Sequence, residues 1–260
     1  MRPHGSASEK YLAVVKGSAL AKRLSRSRKE GSSKKAFRRG LKLVLKLFCL
    51  LMVFTVLQVL ILKMVDPPVT TGMAFQWVKI KLGMDDGSMP RYQWRPLDKI
   101  SVHLIRAVLA AEDQRFLTHH GFDFIEMNEA LQDMVAGERL RGASTITMQT
   151  ARSVFLWQGR SWLRKSLEAY YTVLIELIWG KRRILEIYLN TVDWGNGVVG
   201  AEAAAEGYFR RTAAALSPEE GALLAAILPS PHHWSPVKPT PYVRERQRKI
   251  LRDMKYMRVP

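Results

Sequence analysis

A carboxylate pair, Glu112-Asp113, stands directly after an apolar helical repeat formed by Val102, Ile105, Val108 and Leu109, with Phe116, His119 and Gly121 at fixed distances behind it. A carboxylate on the edge of an apolar face is partly desolvated, which raises its pKa and suits it to work as a general base. About fifty residues later come Arg164-Lys165 and Glu168; Arg164 and Glu168 are four apart and share one helix face. The plainer reading of that pair is a surface ion pair. Between the two segments, Gly142-Ala143-Ser144-Thr145-Ile146-Thr147-Met148-Gln149-Thr150-Ala151-Arg152 opens with small and hydroxylated residues. That composition reads as a well-capped helix start, and the N–H groups of such a start can bind an anion. Two glutamates, Arg152, Arg164, Lys165 and a hydroxyl-rich helix start suit base-assisted attack on a sugar whose leaving group is a phosphate.

The elements that must position these groups are helical. From Asp98 onward apolar residues recur at helical spacing. One helix leads into Glu112. Asp123 with Glu126 reads as a capping box opening a second, to about Val135. Ser144 or Thr145 caps a third, to about Leu156, and Ser161 a long one through Trp179, interrupted at Gly180. Residues 181–190 resume the helical pattern, and 201–209 form another short helix. Ser217-Pro218-Glu219-Glu220 combines an N-cap, a proline at the first helical position and a glutamate at the third, so a helix is predicted to about Leu228. Thr240-Pro241 opens a last, basic helix. No segment alternates convincingly with period two, so the fold is predicted mostly α.

The chain has 260 residues and a formal net charge of +18, which by itself points to nucleic acid, a membrane surface or an anionic substrate. Its distribution decides. Residues 1–40 hold 12 Lys/Arg and 2 acidic residues in a Ser- and Gly-rich tail with few aromatics, whereas 66–260 hold 26 Lys/Arg against 21 Asp/Glu. The tail cannot build a core and is expected to be disordered. Between the two, residues 47–62 are free of charge and carry only Thr55 and Gln58 as polar side chains. Extended to 43–65, the run spans about 34 Å as a helix, enough for one membrane crossing. A buried core helix and a signal peptide are the bland alternatives. The 40-residue prefix is long for a signal peptide and no small-residue cleavage site follows, so an uncleaved signal anchor is expected. The basic prefix orients it with the N-terminus cytoplasmic and 66–260 outside. The single cysteine, Cys49, lies in the predicted span, so the outer part needs no oxidative folding. The organisation expected is 1–40 cytoplasmic basic tail, 43–65 transmembrane anchor, 66–97 weakly structured or partly helical neck, and 98–260 a single outer domain.

The motifs, in this order and spacing, resemble the peptidoglycan glycosyltransferases of glycosyltransferase family 51. That family's E-D-x-x-F-x-x-H-x-G is matched by Glu112, Asp113, Phe116, His119 and Gly121. Its G-G-S-T-I-T-Q-Q-x-x-K-N is matched at Gly142, Ser144, Thr145, Ile146, Thr147 and Gln149. Its R-K-x-x-E falls on Arg164, Lys165 and Glu168, and K-x-x-I-L-E-x-Y-L-N on Lys181, Ile184, Leu185, Glu186, Tyr188, Leu189 and Asn190. The resemblance covers about 98–235 and is nearest to the monofunctional members. Met148, Arg152 and Ser153 depart from the family pattern, which has Gln, Lys and Asn there; Arg152 keeps the charge, but a planar fork is not a point charge.

The resemblance implies a lysozyme-like glycosyltransferase domain that polymerises lipid II, with Glu112 as the base and Glu168 helping to stabilise the departing pyrophosphate. It implies Arg152, Arg160, Arg164 and Lys165 as phosphate partners, and Asp113, Phe116, His119, Ser144, Thr145 and Gln149 as substrate-site residues. His119 either orders the Glu112 loop or contacts substrate, with a capping or packing histidine as the alternative. A divalent cation, Mg or Mn, would be held by oxygen ligands and substrate phosphates, because His and Cys show no metal-ligand spacing. Expected partners are lipid II, the growing glycan strand, the bilayer and other wall-synthesis or division proteins, with no nucleic acid; the setting is the bacterial inner membrane with the domain periplasmic. Trp77, Trp94 and residues 73–82 either pack on lipid or on the domain, and the arginines of the last helix read as a solvated face. No S-x-x-K transpeptidase motif follows. The competing readings are a lysozyme-like muramidase or lytic transglycosylase, which needs no phosphate binders, and a non-enzymatic membrane-anchored wall-binding scaffold, whose basic tail would lie on the wrong side to explain the outer motifs.

Overall fold

The computed structural model describes residues 37–84, 89–137, 142–157, 159 and 161–260; the expected basic tail falls outside these as far as residue 36, as does the predicted break at Gly87. Two units divide at residue 57. The described part of the first is helix, the beginning of α1 (Phe37–Met64), which is 28 residues long, or about 42 Å at the α-helical rise. Leu47, Phe48, Leu50 and Leu51 along it are exposed. The helix is long and apolar enough to cross a membrane.

The second unit, Gln58–Pro260, is predominantly helical, as the periodicity predicted. Its elements are α2 (Thr71–Lys81), α3 (Val102–Glu112), α4 (Phe124–Val135), α5 (Ile146–Phe155), α6 (Trp162–Ile178), α7 (Lys181–Thr191), α8 (Ala201–Ala204), α9 (Pro218–Ile227) and α10 (Pro241–Asp253). The predicted caps are in place: Asp123, Thr145, Ser161 and Thr240 each accept a hydrogen bond from the backbone N–H three residues on, and Ser101, not foreseen, caps α3 through His103 N–H. Ser217 and Glu220 form the full reciprocal capping box. Gly180 is the N-cap of α7, so the predicted interruption is the gap between two helices.

Two helical groups build the core. α3 packs on α9 and α10, and α5 packs on α6 and α7. The approach of α9 to α3 is close enough to require a glycine: a Cβ at Gly221 would sit 3.0 Å from the Leu104 backbone. Leu104, Val108, Ile184, Leu185, Leu224 and Ile227 are fully buried between these helices.

The segment 66–97 is partly helical. It contains α2, and its end is sewn into the body. β1 (Arg91–Tyr92) pairs in parallel with β2 (Val198–Val199). The buried Asn190 amide clamps the Arg95 backbone from both sides, accepting from its N–H and donating to its carbonyl, each at 2.8 Å. Glu186 accepts from Leu97 N–H at 2.9 Å, and the Arg95 guanidinium reaches the fully buried Glu202 at 2.9 Å. Burial works against the charge on Glu202, but the hydrogen bonds from Arg95 and from Ala213 N–H prevail and hold its carboxyl below the usual range. Glu186 and Asn190 of the K-x-x-I-L-E-x-Y-L-N motif therefore fasten the chain entering the domain. Arg183, beside them, donates to the Leu62 and Val65 carbonyls at the end of α1 and pairs with Asp66 at 2.8 Å, satisfying carbonyls that a helix end leaves open.

Candidate functional site

Glu112 is the last residue of α3, where the helix has no further N–H to offer and its dipole disfavours negative charge. Burial pushes its carboxyl above the ordinary range; against this act a hydrogen bond from Gln149 and the Arg246 and Arg152 charges, while Asp113 pushes it further up. Gln149 lies one turn into α5 and donates its Nε2 to Glu112 Oε2 at 2.8 Å. Its Oε1 in turn accepts from the hydroxyl of Tyr188 on α7 at 3.2 Å.

The residues following Glu112 hold this arrangement from behind. Asp113 is buried; both its oxygens lie within 3.0 Å of His119 Nε2, and Oδ2 also accepts the Ile146 N–H, the first residue of α5, at 2.9 Å. The carboxylate thus ties the end of α3 to the start of the helix that carries Gln149. Phe116 is in the core, edge-on to His119, with the Lys181 ammonium 4.6 Å from its ring centre. Gly121 has φ +87°, and a Cβ there would strike Thr172 at 2.8 Å, so the loop rests directly on α6. Thr145 caps α5 and also donates to the Gly121 carbonyl at 2.6 Å. Asp113, Phe116, His119 and Thr145 are accordingly internal, spent on holding the loop and α5 in place, and Ser144 is half-buried beside them. For His119 the loop-ordering alternative matches where the ring lies. Met148 is buried, so the family's glutamine is replaced here by an apolar contact.

The third motif is a closed cluster. Glu168 is 1% exposed and takes Arg164 Nη1 on one oxygen at 3.1 Å and Lys165 Nζ on the other. The surface ion pair is thereby corrected to a buried one; the one-helix-face geometry was right, but α5 packing on α6 covers the face. Arg164 Nε is buried and, among the described residues, has no partner. Arg160 lies outside the described residues.

A cleft of 690 Å³ opens beside these groups. Gln149, Arg152, Ser153 and Arg164 line it on one side, Met73, Phe75, Gln76 and Lys79 of α2 on another, and Asp193 and His232 at its rim. Glu112 and Glu168 are each bonded to a residue that lines it. Three features were not read from the sequence. α2 forms a cleft wall. Tyr188 reaches Glu112 through Gln149. Arg246 of α10, read as part of a solvated face, is half-buried, donates to the Ala226 carbonyl at 3.1 Å and acts electrostatically on Glu112. Only the tyrosine had a signal, its place in a motif.

The donor set does not fit a protein-held divalent cation at Glu168, because both carboxylate oxygens are already paired with cations. Among the described residues Asp113, His119 and Asp123 do have ligand atoms within 4.8 Å of one another, a spacing the sequence did not reveal. Arg115 takes both oxygens of Asp123, however, at 2.8 and 3.1 Å, and those of Asp113 are engaged as above.

Comparison with known proteins bears on all of this. A family model described as Transglycosylase matches residues 83–255. The chain is 47% identical over 233 residues, 89% of its length and 94% of the relative's, to a biosynthetic peptidoglycan transglycosylase of Xanthomonas axonopodis pv. citri. It is 48% identical over 208 residues to one of Caulobacter vibrioides (80% and 88% covered), and 50% identical over 194 residues to one of Rhodospirillum centenum (75% and 81% covered).

Proposed function

The chain belongs to the transglycosylase family, and on that premise we propose that Glu112 is the base with which this peptidoglycan glycosyltransferase extends a glycan strand from lipid II. Glu112 takes the proton of the acceptor's 4-hydroxyl. The oxygen attacks the donor's anomeric carbon from the face opposite the pyrophosphate, so the linkage inverts from α to β. Undecaprenyl pyrophosphate leaves with the bonding electron pair. The leaving group departs as an anion, so cationic stabilisation replaces the acid of a glycosidase.

The observation that carries this reading is the pairing of a carboxylate with a raised pKa and a cleft lined by guanidinium groups. Arg152 is exposed on the cleft, and Arg164 also lines it. Phosphate oxygens are natural acceptors for guanidinium groups. Glu168 keeps Arg164 and Lys165 aimed and neutralised until substrate arrives. A divalent cation would be held by the pyrophosphate oxygens and not by Glu168. Incubating the full chain in detergent or bilayer with lipid II, and separately with finished glycan, tests the reading. Growth of polymer from lipid II without cleavage of the glycan is expected; release of muropeptides from the glycan would replace it with the muramidase alternative.

Among the described residues, one apolar helix precedes the domain and suits a single-pass anchor in the membrane. We infer that its N-terminus is cytoplasmic and that 66–260 lie outside the inner membrane, from the 12 basic residues in the first 40. Protease added to intact spheroplasts should digest the domain and spare an epitope at the N-terminus; the opposite pattern refutes the orientation.

A further inference from the structure

We propose that Tyr188 is a positioning residue for the reaction: through the side-chain amide of Gln149 it holds the Glu112 carboxylate in one place and one orientation. This rests on the reading of Glu112 as the base.

Tyr188 is in the middle of α7, 1% exposed, and its ring is held among core side chains. Its hydroxyl donates to Gln149 Oε1 at 3.2 Å, and Gln149 Nε2 donates to Glu112 Oε2 at 2.8 Å. The polarity of this chain is determined at its carboxylate end. An ionised carboxylate only accepts, so the amide must present its NH₂ to Glu112 and its oxygen to Tyr188. Gln149 is only half-buried and lines the cleft. Tied at the nitrogen alone, its flexible side chain has cleft water as a competing partner. Tied at both ends, the amide links three helices, α3, α5 and α7. Donation into the amide oxygen also polarises the N–H that faces the carboxylate.

The phenol is suited to this task because it stays protonated. Burial pushes its pKa well above 10, the neighbouring Glu112 charge adds to that, the Arg152 charge opposes it and Asp113 reinforces it. Tyr188 does not line the cleft, so it has no direct contact with substrate to lose.

The groups that set the titration of Glu112 come from several sides: Gln149 and Arg152 on α5, Arg246 on α10, and Asp113 next in the chain. Of these, the Gln149 hydrogen bond is the largest influence that lowers its pKa. Loosening that bond therefore raises the pKa, and a base works only above its pKa.

Tyr188→Phe removes the hydroxyl and keeps the ring. The expected result is a fall in kcat of about tenfold at neutral pH, the kinetic equivalent of one hydrogen bond. KM for lipid II should be unchanged, and the acid limb of the pH–rate profile should move to higher pH. A purely structural tyrosine would lower the unfolding temperature and leave the acid limb where it was. In Gln149→Leu the second substitution should have no further effect, because the tyrosine acts only through that amide. Wild-type kcat and an unshifted acid limb in Tyr188→Phe, or additive losses in the double variant, overturn the proposal. Glu112→Gln separates the two ideas: if that variant is dead and Tyr188→Phe is normal, the positioning role alone fails; if that variant is active, the base assignment itself fails.

Discussion

Glu112→Gln is expected to stop chain growth from lipid II while the protein remains folded. A positioned general base contributes a rate factor of about 10²–10⁴, and the amide cannot take the acceptor's proton. The substitution keeps size and shape, and its carbonyl can still accept from Gln149 Nε2. The effect on stability has the opposite sign. Because the folded-state pKa of Glu112 lies above its ordinary value, the folded protein holds that proton more tightly than the unfolded chain. The stability this supplies is fully present in acid, below the unfolded pKa, and is lost as pH rises through the folded pKa. A side chain that cannot ionise escapes the loss. The unfolding temperature of Glu112→Gln should therefore equal or exceed that of the wild type at neutral pH, with the gap closing in acid. Polymer formation followed on a gel, beside thermal unfolding at two pH values, checks both. Normal turnover would sink the assignment of the base, and a large drop in unfolding temperature would mean that the carboxylate is structural.

The second large effect is expected at Glu168. Glu168→Gln leaves Arg164, whose side chain is about one-tenth exposed, beside a neutral amide. Breaking a buried ion pair from one side costs about 3–5 kcal/mol, because a desolvated charge is left uncompensated. Lys165, 44% exposed, can turn to solvent and suffers less. Turnover should fall as well, because Arg164 is no longer held to the cleft; removing one preorganised charge-stabilising group typically costs about 10²–10³ in rate. Both losses are measurable on the same preparation, by denaturant unfolding and by lipid II consumption per folded molecule. A variant that is less stable but turns over at the wild-type rate would reduce the third motif to an internal ion pair.

What could be read along the chain was whatever depends on neighbours a few residues away. Asp123, Thr145, Ser161, Ser217 and Thr240 sit where helix N-termini need acceptors, and each caps as expected. The apolar 47–62 run lies within a single helix. The reading was weaker for 66–97, where Gly83, Pro90 and Pro96 suggested a loose neck. There the glycine and prolines end elements without preventing long-range fastening, and Asn190, Glu186 and Glu202, about a hundred residues away, supply the bonds.

The division is clearest at the site. The types and spacing of Glu112, Arg152, Arg164, Lys165 and Glu168 suited base-assisted attack on a sugar with a phosphate leaving group, because charge, hydrogen-bonding capacity and helical phase are properties of residues and their near neighbours; the resemblance of the ordered motifs supplied the family. Which of the motif residues face the cleft, and which stand behind it, was decided only by the packing of α3, α5, α6 and α7. Packing buried Asp113, Phe116, His119 and Thr145, closed Glu168 between two cations, brought Tyr188 to Glu112 through Gln149, and turned Arg246 from a solvated helix face towards the same carboxylate. Desolvation and hydrogen bonding between distant segments act through space, and a linear chain carries no record of which of its polar groups will meet.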